Sequence, residues 1–180
     1  AANQVRVVGP ETDGALTPVI SRGGNLTLES TSSEAGVTGI SVEGNRVSAD
    51  LDGDGNSSSV PSTPLLTLPG PGGAVGSLNI TTQGSGVTIG KTILGYFPSE
   101  LGREGLPDSI IPGSLPDPTS RGGVSLNARG GPATLTNSTV ITPGGPISLD
   151  AGSGAMTLDG LRVESLVLNG PDVSTAGDLT

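Results

Sequence analysis

Gly122-Gly123-Val124-Ser125-Leu126-Asn127-Ala128 decides the fold of this chain. The phrase returns, with one proline inserted, as Gly144-Gly145-Pro146-Ile147-Ser148-Leu149-Asp150-Ala151, so that Val124 and Ile147 stand 23 residues apart. Working outward, Leu78-x-Ile80 precedes Val124-x-Leu126 by 46 residues. Nine residues after each of these starts comes a second alternating run: Val87-x-Ile89, Ala133-x-Leu135 and Met156-x-Leu158. A fixed period of this size marks a repeat architecture. The apolar residues alternate with Ser, Thr, Asn and Gly over stretches too short for helices, which is strand periodicity. Each repeat then reads as one coil of a parallel β-solenoid, unable to bury its apolar side alone and stacked on its neighbours.

Composition agrees with an all-β chain of narrow core. Among 180 residues there are 31 Gly and 15 Pro, and the aromatic residues are Tyr96 and Phe97. A sandwich core of this size draws on more rings, whereas stacked aliphatic ladders need none. The Gly pairs Gly23-Gly24, Gly72-Gly73, Gly122-Gly123 and Gly144-Gly145 mark corners. The net charge of -9, without a cluster of Lys or Arg, argues against nucleic acid and against an anionic membrane surface. No apolar run approaches the roughly 20 residues of a membrane span, so membrane insertion is not expected. With no Cys there is no disulfide framework and no thiolate metal site. Two stretches break the pattern: about 52–73, rich in Gly, Pro, Ser and Asp, where Leu65-Leu66-Thr67-Leu68 offers the one strand, and 95–121, which carries five prolines and both aromatics. Both read as loop insertions in one domain spanning 1–180. The close at Gly177-Asp178-Leu179-Thr180 reads as an interrupted repeat, as in a segment of a longer protein.

The two Gly-Gly phrases of the third and fourth corners, together with Gly23-Gly24-Asn25-Leu26-Thr27-Leu28, resemble the repeats of filamentous haemagglutinin-like exoproteins, large bacterial proteins of the two-partner-secretion type. The resemblance implies a right-handed β-helix, export across an outer membrane, and a role in adhesion, aggregation or surface coating. The Asn-Pro signatures of that family's secretion domain are absent, so no secretion or receptor-binding residue carries over.

Two places hold candidate chemistry. Asp50, Asp52 and Asp54 alternate ahead of Gly55 and Asn56, as oxygen ligands of a calcium loop do, with Ser58 at the ninth position and Pro61 where an EF-hand has its bidentate Glu. The same run also reads as a solvated acidic turn. Tyr96 and Phe97, with Arg103 and Glu104 nearby, form the spot with the composition of a binding hot spot, and equally that of rings anchoring a Pro-rich loop. Thr134-x-Thr136 and Thr139-x-x-Thr142 suit outward strand positions, and a flat face of threonines is also the make-up of an ice-binding ladder. Scattered carboxylates and the absence of His leave a polysaccharide lyase or hydrolase the least supported reading.

The expectation is therefore a non-enzymatic extracellular structural protein, a secreted adhesin segment or fibre subunit that stacks end to end into a surface filament. No cofactor is expected beyond the calcium of the acidic loop. The alternative is a surface module that binds cell-surface glycan or extracellular polysaccharide through the 95–121 loop.

Overall fold

The computed structural model describes residues 4–8, 19–44, 46–49, 58–61, 65–68, 74–96, 122–165 and 173–179. Among these residues sixteen strands form in chain order: β1 (Val5–Val8), β2 (Val19–Arg22), β3 (Leu26–Ser30), β4 (Thr38–Glu43), β5 (Arg46–Ala49), β6 (Ser58–Pro61), β7 (Leu65–Leu68), β8 (Leu78–Thr82), β9 (Gly86–Gly90), β10 (Ile93–Gly95), β11 (Val124–Asn127), β12 (Ala133–Thr136), β13 (Thr139–Thr142), β14 (Ile147–Asp159), β15 (Arg162–Ser165) and β16 (Val173–Leu179). The short alternating runs read from the sequence are the cores of β8, β9, β11, β12 and β14.

The chain is all-β and its two large sheets are parallel, but the expected solenoid, a right-handed β-helix, is corrected by their topology. One nine-stranded sheet runs β1-β4-β9-β12-β14-β11-β8-β3, with β16 also on β14. Its two ends, β1 and β3, come back into contact, so the eight-strand path nearly closes on itself in the manner of a parallel barrel. A second parallel sheet of five strands runs β15-β13-β10-β7-β2 beside it. The physical cause lies in the third copy of the repeat. Its two alternating runs do not separate at a corner; Gly152 and Gly154 are carried within the 13 residues of β14. The first part of β14 pairs with β11 and the last with β12, which joins into one strand the two alternating runs that the sequence sets nine residues apart.

Register follows the sequence period in one half of the molecule. Val124 lies against Ile147, an offset of 23, and against Leu78, an offset of 46, so β8 pairs directly with β11. The 52–73 region expected as an insertion contributes two strands. Leu65–Leu68 forms β7, inside the second sheet, and β6 pairs antiparallel with β5. Of 95–121, Gly95 closes β10 and Tyr96 follows it; 97–121 lies outside the described residues.

Alternation sends one set of side chains inward. Leu28, Ile80, Leu126 and Leu149 form one ladder, Ile40, Val87, Ala133 and Met156 a second, and Leu65, Leu94 and Val140 of the other sheet a third, all within a single apolar cluster. Burying each Leu or Ile removes enough apolar surface from water to contribute roughly 1.5–3 kcal/mol. The corners are tied by short polar links. The Ser77 N–H donates to Asn25 Oδ1 at 2.9 Å and the Gly123 N–H to Ser77 Oγ at 3.2 Å, so successive strands are stitched where the ladder hydrogen bonds begin. The turn after β9 has Lys91 at φ 50°, and its counterparts 46 and 69 residues on, Asn137 and Gly160, adopt φ 46° and 64°. One left-handed corner is thus reused with three different residues.

Candidate functional site

The alternate side chains of the first sheet face outward, and parallel pairing sets them in columns with a spacing of about 4.8 Å; Ser30, Thr67, Thr82 and Thr142 are buried instead, so Thr142 does not take the outward position expected of it. Along β1, β4, β9, β12 and β14 the column reads Arg6, Ser41, Thr88, Thr134 and Thr157. The neighbouring column reads Val8, Glu43, Gly90, Thr136 and Asp159. On the other arm, Thr27, Asn79, Ser125 and Ser148 lie in one row and Glu29, Thr81, Asn127 and Asp150 in the next. Among the described residues these outward columns are hydroxyl-rich and carry no aromatic ring. Thr134 and Thr136 both point outward, but Gly90 and Asp159 flank Thr136, so the threonines make one column rather than a flat array.

A groove of about 310 Å³ opens at the head of the first column. Gln4, Val5 and Arg6 line it from β1 and the residue before it, Thr38 and Ser41 from β4, and Thr88 from β9. Arg6, Ser41 and Thr88 stand side by side because β1 sits on β4 in register Arg6↔Ser41 and β4 on β9 in register Ser41↔Thr88. None of the polar side chains here has a partner among the described residues. The other cations whose side chains are described are engaged. Lys91 pairs with Glu43 at 3.2 Å, Arg129 donates to Gln83 Oε1 at 2.7 Å, and Arg22 and Arg162 each have a partner. Sequence reasoning missed this groove for a physical reason. Val5 pairs with Ile40 at an offset of 35, which is no multiple of the 23-residue period, so nothing in the repeat brings Arg6 to Ser41.

The residues singled out in the sequence fare differently. Asp50, Asp52, Asp54 and Asn56 lie outside the described residues, as do Phe97, Arg103 and Glu104. Among the described residues no three His, Cys, Asp or Glu gather as metal ligands; Glu29 and Asp150 share a column but are held apart by Thr81 and Asn127. Tyr96 is 3% exposed, at the end of β10, its N–H donating to the Ile141 carbonyl at 2.8 Å. Burial pushes its phenol pKa up. Its ring therefore packs against protein instead of offering a face to a sugar.

Both sheets also present unpaired edges. Among the described residues β1, β2 and β3 each pair on one side only, and the exposed large apolar side chains, Val8 at 46% and Val19 at 39%, stand on β1 and β2. Comparison of the chain with protein-family models, with curated proteins and with solved structures finds no match in any of the three.

Proposed function

We propose that this chain is a structural segment of a secreted surface protein, an adhesin segment or fibre subunit, that associates with further copies of itself through its sheet edges. The observation that carries the reading is the conjunction of unpaired parallel edge strands with the exposed Val8 and Val19 on two of them. An unpaired edge offers a row of N–H and C=O groups to any strand that can add to it, and natural edges are usually blunted with charge. Here each edge strand carries a single charge, Arg6, Arg22 or Glu29, and beside it β1 and β2 expose Val8 and Val19. A head-to-tail contact of this kind does not close on itself and gives an open filament.

Further support comes from the outer columns, whose Ser, Thr and Asn suit a solvated surface, and from the Gly-Gly phrases that resemble filamentous haemagglutinin-like exoproteins. A non-catalytic role fits the outward carboxylates, which among the described residues are spread along columns rather than converging. Negative-stain electron microscopy of the purified chain, with sedimentation velocity across a hundredfold concentration range, tests the reading. Filaments of constant axial repeat, or a sedimentation coefficient that climbs with concentration, are the expected result. A monodisperse monomer at the highest concentration overturns it.

A further inference from the structure

We infer that the groove between β1, β4 and β9 is a binding site for a carboxylated sugar unit, the uronate of an acidic glycan. This goes beyond a structural role and does not depend on it. Three observations carry the inference. First, the groove holds a guanidinium, three hydroxyls and a carboxamide within one concavity, and the whole set lacks partners among the described residues. The remaining described cations are occupied, so Arg6 is the one with its fork of donors available. Second, the composition selects the ligand. A planar guanidinium matches a carboxylate in two parallel hydrogen bonds, and a single cation balances a single negative charge, whereas a phosphate dianion calls for more. Hydroxyls both donate and accept, as sugar hydroxyls do, and the Gln4 carboxamide adds both functions again. Third, the size fits. A volume of about 310 Å³ is at the small end of small-molecule sites, which run from about 300 to 1,000 Å³, and so suits one sugar-sized unit. The Ser41, Thr88, Thr134 and Thr157 column leads away from Arg6 along the sheet, in line for further units of a chain.

The test is a titration of the ¹⁵N-labelled chain, at a concentration where it is monomeric and at about 0.15 M salt, where long-range repulsion by the acidic protein is screened. The probes are galacturonate, trigalacturonate, galactose and inorganic sulfate. Galacturonate is expected to shift the amides of Arg6, Ser41 and Thr88 with a dissociation constant on the order of 1 mM, as one bidentate pair and a few exposed hydrogen bonds provide. Galactose should bind at least tenfold more weakly. Arg6→Gln should lose at least tenfold in galacturonate affinity at unchanged melting temperature, and Thr88→Val severalfold. Tighter binding of trigalacturonate than of galacturonate assigns the site to a polymer, and equal binding assigns it to the free acid; both sustain the inference. It is overturned if Arg6→Gln binds galacturonate as the parent does, if galactose binds equally well, or if sulfate produces the same shifts at the same concentration.

Discussion

At the scale of single residues, the fold is tuned by side chains too small to notice in the sequence. Ser85 occupies a corner position whose counterpart 46 residues on is Gly131, and it faces Gly39, the extra residue where the register of β4 against β9 shifts between Thr38 and Ile40. Its Oγ is buried and, among the described residues, is the buried side-chain polar atom without a hydrogen-bond partner. It points at the space left by Gly39, where a Cβ would fall 2.0 Å from Ser85 Oγ and 3.0 Å from Ser85 Cβ. Leaving a buried hydroxyl unsatisfied costs about 1–3 kcal/mol. Ser85→Ala keeps the Cβ and removes the hydroxyl, so it should stabilise the chain by about 1 kcal/mol in urea unfolding. Gly39→Ala should cost about 1–3 kcal/mol by overpacking. Part of that cost should vanish in a Ser85→Gly background, where Ser30 Oγ at 2.8 Å is still in the way, a coupling that additivity in a double-mutant cycle would disprove. Tyr96 supplies a second residue-scale test. Its folded pKa is raised by burial above the ordinary phenol value of about 10. The unfolded chain therefore loses this proton first, so the stability tied to Tyr96 is complete below that ordinary value and falls as pH rises through the folded one. As the chain has one tyrosine, phenolate absorbance near 295 nm reads it directly. It should titrate late and together with loss of the β-sheet circular dichroism signal, and titration at the ordinary value with the sheet intact would contradict its burial.

Among elements, the corner before each strand of one arm is a glycine ladder. Gly24, Gly76 and Gly122 occupy the same place ahead of β3, β8 and β11, as the registers Leu26↔Leu78 and Val124↔Leu78 require. A Cβ on Gly76 would stand 1.9 Å from the Gly24 carbonyl oxygen, and one on Gly122 the same 1.9 Å from that of Gly76. Both obstacles are backbone and cannot swing aside. Gly24, ahead of the end strand β3, has only Ser21 Oγ at 3.5 Å among the described residues. Gly122→Ala should therefore destabilise by about 2–3 kcal/mol or more, at the upper end of overpacking costs, while Gly24→Ala should stay within about 0.5 kcal/mol. Similar effects at the two sites in thermal unfolding would refute the ladder. This ladder also marks how far the sequence could be read. The alternation of Leu78-x-Ile80 and Val124-x-Leu126 states which residues go inward and in what register, because burial of one side fixes strand pairing. The Gly122-Gly123 corner was visible for the same reason. What the pattern did not contain was the continuity of β14. Gly152 and Gly154 look like corner residues, yet the strand passes through them, and so one sheet nearly closes where the coils of a solenoid were expected. The groove was illegible too, since it depends on β1 meeting β4 outside the repeat's register.

On the scale of the whole molecule, two forces act on any contact between copies and they oppose each other. The net charge of -9 repels a second copy at long range, and that repulsion fades as salt shortens the screening length to about 8–10 Å near physiological strength. Edge pairing acts only at contact and is little affected by salt, since it rests on backbone hydrogen bonds and on apolar burial. Association through the sheet edges should therefore strengthen between about 0.02 and 0.3 M salt, whereas association through opposite charges would weaken over that range. Val19 is the position at which to separate the edge from the rest of the surface. It sits on β2, the end strand of the second sheet, 39% exposed and paired on one side to Leu65. Lysine at an edge position blocks strand addition by requiring a charge to be buried in the contact. Val19→Lys should leave the melting temperature within about 1–2 °C of the parent, as expected for a substitution costing at most about 0.5 kcal/mol at a part-exposed site. The same variant should shift the onset of assembly to at least tenfold higher concentration in sedimentation velocity. A control change on the outer column, Thr134→Lys, should leave assembly unaltered, because that side chain faces solvent away from every edge. If Val19→Lys assembles as readily as the parent while Thr134→Lys does not, the contact lies on the hydroxyl face and the edge model is wrong.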